Sequence, residues 1–288
     1  MEILVYGTVN SIVFALIAIG FTLVYGISRL SNFAHGALYI LTGYITWQFL
    51  NRLGLNYAVA IILALIITAL LGAAMYRFLL IRVRGMPSSE IIASFAIGLA
   101  IMEALRWRGF VGQTYILPPF IEGTTEIAGV LIDWQRIIIV IGGLVVMIFL
   151  WLFTHYTKIG LALRAIAQDE RAAMMLGIDS DLTAVIALAL GSALAGVAAI
   201  AILPLGNITV ETGYNVLIYA IAVCIIGGLG SWTGAIVAAF ILGFAQILTV
   251  AYIAPQWQLV VVFLAIILTL ILRPSGLFGK QKELEERV

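Results

Sequence analysis

Long apolar runs, separated by short polar or glycine-rich steps, make up most of the chain. No Asp, Glu, Lys or Arg occurs in residues 3–28, 53–76, 137–157, 182–210 or 212–272, and each run reaches the roughly 20 residues a helix needs to span a bilayer. The last run, 61 residues long, crosses more than once. These runs are continuously apolar rather than alternating, and backbone groups in hydrocarbon must be satisfied within their own segment. Spanning helices follow, and a β-barrel is excluded. The pattern predicts spans near 8–27, 33–50, 57–76, 88–107, 136–155, 182–203, 214–230, 234–252 and 256–272. The expected fold is an all-α polytopic membrane protein, a bundle of about 8–9 transmembrane helices with one or two interrupted segments.

Two steps in the pattern stand out. Residues 28–36, "SRLSNFAHG", place an arginine, two serines, an asparagine and a histidine between two membrane-length runs. Polar groups at membrane depth persist mainly where they face a water-filled path or a bundle interior. On that reading Ser31, Asn32 and His35 line, or hydrogen-bond to, an interruption near a translocation path. The second step is "GGLGSWTG", residues 227–234, where four glycines interrupt the longest uncharged run. Gly227, Gly228, Gly230 and Ser231 are its path candidates, because paired interrupted segments in two halves of a transporter point to the pathway. A competing reading makes both steps short cytoplasmic turns, with Arg29 marking the inside. As a surface turn, the first step leaves three spans before Arg77 and an external N-terminus. A break at membrane depth changes that parity, so eight and nine crossings both fit.

Charge orients the bundle. Only 10% of residues are charged, 64% are hydrophobic and the mean hydropathy is +1.17, whereas a soluble domain carries about 25% charged residues. Ten of the fifteen Lys and Arg fall in three places: Arg77, Arg82 and Arg84; Lys158, Arg164 and Arg171; and Arg273, Lys280, Lys282 and Arg287. The positive-inside rule puts these three segments in the cytoplasm and the loop 109–133 outside. The chain then reads as one transmembrane domain over 1–288, with a cytoplasmic loop at 156–181 and a cytoplasmic tail at 274–288. A net charge of +1 suggests no nucleic-acid partner; membrane lipid is the implied environment. The start "MEILVYG" lacks the basic flank of a secretory signal and reads as retained. Cys224, the one cysteine, lies in an apolar run and reads as packing. Small residues at Gly191/Ala195, Gly234/Ala238 and Ala239/Gly243 have the spacing of close helix contacts. Glu103 and Arg106 form an i,i+3 pair at a helix end, and Trp47, Trp107, Trp134 and Trp257 mark span ends.

Enzymatic chemistry has little to work with. The two histidines are 120 positions apart, and the chain has no HExxH pattern, no carboxylate pair in a span and no phosphate-binding G-x-x-x-x-G-K-[ST] loop. Catalysis, a metal site and a nucleotide site in this chain are therefore not expected, and any ATP is handled by a partner. The cytoplasmic stretch "LRAIAQDERAAMMLGIDSD", residues 163–181, is more informative. Asp169 suits an N-cap, Glu170 suits the positive helix start, and Gly177 suits the left-handed residue that ends a helix. A two-turn helix over about 170–176 follows. It is too short to hold alone in water, and Ala172, Ala173, Met174 and Met175 give it a small, adaptable surface for docking another protein or its own bundle.

Glu170, Ala172, Ala173 and Gly177 resemble the "E-x-A-A … G" coupling motif of ABC importer permeases. The ordered stretches "ALIAIGFTLVYGISRLSNFAHG", "RGMPSSEIIASFAIGL", "ALAGVAAIAILPLGNITVETGY", "IIGGLGSWTGAIVAAFILG" and "LRPSGLFG" resemble the permease family that imports branched-chain amino acids. The chain departs from that family at Ala37, where an acidic residue is frequent, and near Tyr219 and Ala220, where a lysine is frequent. The resemblance implies the smaller membrane subunit of an importer in a prokaryotic plasma membrane. It implies a second related permease, two cytoplasmic ABC ATPases that hold ATP and magnesium, and an extracytoplasmic solute-binding protein. Arg164, Asp169, Glu170, Ala172, Ala173 and Gly177 would then couple the bundle to the ATPases. A permease for urea or short amides would share these motifs. An ion-gradient-driven transporter is the rival outside the class, although the long C-terminal runs hold no carboxylate to carry protons or sodium.

Overall fold

The computed structural model describes residues 1–110, 115–127 and 129–279. The sequence-predicted cytoplasmic residues Lys280, Lys282 and Arg287 lie outside them. Among the described residues eleven α-helices carry the fold: α1 (Glu2–Ser28), α2 (His35–Asn51), α3 (Tyr57–Ala74), α4 (Pro87–Leu105), α5 (Trp134–Tyr156), α6 (Lys158–Gln168), α7 (Glu170–Met175), α8 (Ser180–Ile202), α9 (Val210–Gly227), α10 (Trp232–Tyr252) and α11 (Gln258–Leu272). A short antiparallel hairpin, β1 (Thr124–Ile127) and β2 (Val130–Asp133), sits in the loop before α5, with Thr124 opposite Asp133.

Polar caps set the helix starts between apolar runs. The side chains of Asn56, Asp179, Thr209 and Ser231 accept from the backbone N–H groups of Ala58, Leu182, Thr212 and Gly234 at the heads of α3, α8, α9 and α10. Each cap satisfies a donor that the helix cannot satisfy itself.

Eight of the spans are long and apolar enough to cross by themselves. Helix α2 has 17 residues and completes the ninth crossing together with the non-helical leg 29–34. Among the described residues the chain thus makes nine crossings. Arg84 at the end of the α3 span joins Glu170 and Asp181, and Ile27, Ala173 and Trp232 pack in one cluster. The basic segments therefore gather at one end, which is cytoplasmic. At the other end Tyr6 donates to the Leu131 carbonyl, Tyr57 to that of Pro118, and Tyr115 pairs with Ile208. Met1, close to Tyr6, lies on that external side.

Helix α1 is the hub. Its apolar window is 78% buried, against 6% for α11, which leaves α11 on the outside of the bundle. Close approach is made by small residues: a Cβ on Gly20 would meet the Gly191 carbonyl of α8 at 2.8 Å, and one on Gly243 of α10 would meet the backbone of Ser11 at 2.6 Å. Dispersion at such contacts is the main drive for association where lipid is as apolar as the helices. Cys224 is buried, its thiol 2.9 Å from the Thr22 hydroxyl.

Candidate functional site

At the cytoplasmic tip, α7 is shaped by its own ends. Asp169 accepts from the Ala172 N–H at 3.0 Å. At the other end the Gly177 N–H donates to Met174 O at 3.0 Å and the Ile178 N–H to Ala173 O at 3.2 Å. Gly177 has φ +84°, so both bonds form the left-handed closure that suits glycine. The two alanines of the motif part company. Ala173 is buried with Leu163, Ile166 and Ile27, anchoring α7 to the bundle, whereas Ala172 is exposed. Beyond it Met175 is 89% and Leu176 82% exposed, an apolar tip pointing away from the bundle.

Glu170 does not face outward alone. Its carboxylate takes an ion pair from Arg84 and a hydrogen bond from the Ser180 hydroxyl, while Arg84 also pairs with Asp181 and donates to Ser180. Burial opposes charge on Arg84, but Tyr76, Glu170 and Asp181 outweigh it and raise its pKa above the ordinary value. Arg84 thus clasps the first residue of α7 and the head of α8 to the end of the α3 span. Arg164 on α6 is half-buried, and its Nε has no hydrogen-bond partner among the described residues.

The "SRLSNFAHG" stretch is a break inside the bundle. Helix α1 ends on Arg29, whose φ of 53° is left-handed and whose N–H donates to Tyr25 O at 2.9 Å. Arg29 is exposed, and the chain then turns back inward through buried Leu30, Asn32 and Ala34. Ser94 and Gly98 of α4 lie beside Ser31 and Ala34. They are about 10 and 16 Å along α4 from its first residue at 1.5 Å per residue, so the leg sits well below the surface. Side chains satisfy its backbone: the Phe33 N–H donates to Ser94 Oγ at 3.2 Å, Ser94 Oγ to Ser31 O at 3.2 Å, and the Ala34 N–H to Asn32 Oδ1 at 3.1 Å. His35 opens α2 with Nε2 at 2.9 Å from Ile17 O of α1.

The "GGLGSWTG" step is a tight turn at the cytoplasmic end. Gly228 and Gly230 have φ of 99° and 79°. Gly230 packs on Gly26, and the Leu277 and Phe278 N–H groups donate to Ile226 O and Gly227 O at 2.8 and 3.0 Å. Ser231 caps α10. None of Gly227, Gly228, Gly230 or Ser231 borders the cavity described next.

That cavity, of about 280 Å³, lies in the outer half of the bundle. One face of α1 (Asn10, Val13, Phe14, Ile17) and one face of α9 (Thr212, Asn215, Val216, Tyr219) meet across it, each at helical i, i+3, i+4, i+7 spacing. Tyr39 of α2, Gln246 of α10 and Gln258 of α11 complete the polar lining, and Ile17 ties its inner edge to His35. Asn10 Nδ2 donates to Gln246 Oε1 and Gly243 O, both at 3.3 Å. Apart from Tyr219, noted above as a departure from the resembled family, sequence reasoning passed over these residues because each is a single polar position in an apolar run. The available signal was the pair of amides Asn10 and Gln246 in charge-free stretches.

Comparison with known proteins fits this architecture. The model of the family described as branched-chain amino acid transport system / permease component matches residues 3–270. The high-affinity branched-chain amino acid transport system permease protein LivH of Salmonella typhimurium is 32% identical over 281 residues, 93% of this chain and 91% of that protein. The corresponding permease protein BraD of Pseudomonas aeruginosa is 32% identical over 294 residues, 97% and 96% of the two chains. The probable LivH permease of Methanocaldococcus jannaschii is 29% identical over 283 residues, covering 92% and 88%. Among solved structures, PsaBC from Streptococcus pneumoniae in complex with Fab shares the fold at a TM-score of 0.53 and 12% identity, over 99% of this chain and 96% of that one. A family match along nearly the whole length, with relatives 32% identical over more than nine-tenths of the chain, makes this chain a member of the branched-chain amino acid transport permease family.

Proposed function

We propose that this chain is the membrane-spanning subunit of an ABC importer that moves branched-chain amino acids into the cell across a prokaryotic plasma membrane. As a permease component it works within a multi-part transport system. The partners that complete it on this reading are a second related permease, two cytoplasmic ATPases that bind ATP and magnesium, and an external solute-binding protein. This chain supplies the path and no hydrolytic chemistry.

The observation that carries the reading is the α7 tip. A six-residue helix with exposed Met175 and Leu176 is costly in water, yet it is held by a clasp of charges and a buried alanine. An apolar tip fixed to three spanning segments suits a part that receives force from a docked ATPase. Closure of the ATPases on ATP would move α7, and through Arg84 the ends of the α3 span and α8 with it. A ligand shifts such an equilibrium only by its differential affinity for the two states, which is where ATP enters.

The test is ATP-dependent uptake of labelled leucine by proteoliposomes holding the assembled transporter and its binding protein. Unlabelled isoleucine, valine, glutamate and urea serve as competitors. Uptake blocked by isoleucine and valine alone supports the reading. ATP hydrolysis without leucine uptake, or block by urea, rejects the substrate, and leucine flux without any ATPase rejects the class.

A further inference from the structure

The outer cavity holds two observations that the fold does not use. Tyr39 is fully buried, yet its hydroxyl has no hydrogen-bond partner among the described residues. Gln246 is 4% exposed, and its Nε2 lies near Tyr219 without meeting hydrogen-bond geometry. Buried polar groups left unpaired destabilise a fold, and native proteins seldom keep them without a use. Both border the same space. That space far exceeds the roughly 10–15 Å³ one water needs and approaches the roughly 300 Å³ at which small organic ligands are held.

The chemistry of the walls narrows the occupant. No carboxylate, guanidinium, ammonium or imidazole lines the cavity among the described residues. A solute with net charge would enter without a counter-charge, at a cost that neutral donors do not return. A zwitterion is different, because its carboxylate needs donors and its ammonium needs acceptors, and both can be neutral. Tyr39 and Gln246 offer the donors; the carboxamides of Asn10 and Asn215 offer the acceptors. Val13, Phe14, Ile17 and Val216 supply an apolar wall for an aliphatic side chain.

We propose that this cavity, walled by α1, α2, α9 and α10 with the outer ends of α8 and α11, is a way-station in this chain for a net-neutral, aliphatic α-amino acid, with Tyr39 and Gln246 binding its carboxylate. The proposal rests on the importer reading above and adds to it that the membrane subunit itself discriminates against net charge.

Tyr39→Phe gives the sharpest test. Its hydroxyl makes no hydrogen bond among the described residues, so a purely structural role predicts a neutral or more stable protein with normal transport. A solute-binding role predicts that leucine uptake by the assembled transporter falls about ten-fold or more at saturating binding protein, the effect of a lost bond to a charged group. In parallel, Asn215→Cys places a thiol at the rim of the cavity, in a protein whose own cysteine is buried. Leucine should slow its labelling by a maleimide during turnover, and glutamate or lysine should not. Wild-type uptake of leucine, with Tyr39→Phe within two-fold of it and labelling indifferent to leucine, overturns the way-station and leaves the importer reading standing. Failure of the wild type itself to take up leucine overturns the importer reading instead.

Discussion

The two interruptions of the helical pattern look alike in sequence and differ in kind. The first, at 29–34, runs through the bundle interior, and its backbone is satisfied by side chains: Ser94 reaches Phe33 and Ser31, and Asn32 reaches Ala34. The second, at 228–231, turns at the cytoplasmic surface, where Leu229 is 43% exposed. The α9 carbonyls beside it are satisfied by backbone, from Leu277 and Phe278, Ser231 caps the helix that follows, and the turn is shaped by glycines at positive φ. A break at depth needs polar side chains because water cannot reach it. A turn at the surface needs only conformational freedom. Polar residue type, rather than glycine count, therefore marks the deep interruption.

That contrast can be broken by substitution. The largest effect is expected at Gly36, where an added Cβ would lie 2.1 Å from the Gly213 carbonyl oxygen of α9. Gly36→Val should force α2 from α9 and destabilise the protein by about 3 kcal/mol, seen as a fall in unfolding temperature in detergent and loss of assembled complex. Ser94→Ala comes next: it strips the Phe33 N–H and Ser31 carbonyl of their shared partner, for about 2 kcal/mol. At the surface turn Gly230→Ala should cost about 1–2 kcal/mol, the left-handed penalty alone if Gly26 can yield. A larger loss at Gly230 than at Ser94 would reverse the ranking of the two sites.

Smallest in stability, but not in function, is Arg84→Gln. Its ion pairs are about half-exposed, and such pairs contribute below about 1 kcal/mol each. The unfolding midpoint should barely move, while leucine uptake per ATP hydrolysed should drop. Unchanged coupling in Arg84→Gln would remove the clasp from the force path. Gly177→Ala should loosen the same tip by about 1–2 kcal/mol locally, since open space surrounds that position and only its φ resists a side chain. Faster amide exchange at 170–176 would register it.

Most of the fold is legible in the sequence because it depends on local signals. The apolar pattern places a span at each crossing, including α4 with its Glu90 and Glu103, while leaving the count open between eight and nine, and Asp169 with Gly177 places the short helix within one residue of its observed end, Met175. The pair Glu103–Arg106 forms at 2.8 Å as its i,i+3 spacing suggests. What escapes is set by tertiary contact. Arg84 lies 86 residues from Glu170 and 97 from Asp181, and in sequence it is only one more basic residue of an inward loop. Ala172 and Ala173 read as one docking surface, yet helix rotation buries the second. The cavity lining is scattered over at least four helices, and depth for "SRLSNFAHG" depends on α4, whose Ser94 carries no mark of its role. The β1–β2 hairpin is equally silent, being four residues per strand in a Gly- and Thr-rich loop.

The bonds from Leu277 and Phe278 to the last carbonyls of α9 also set an order of events in synthesis. When α9 and α10 first leave the ribosome, the turn between them lacks the donors that will close it, because those donors follow α11. The hairpin can insert early but reaches its final shape only after α11 has entered the bilayer and the segment behind it has folded back.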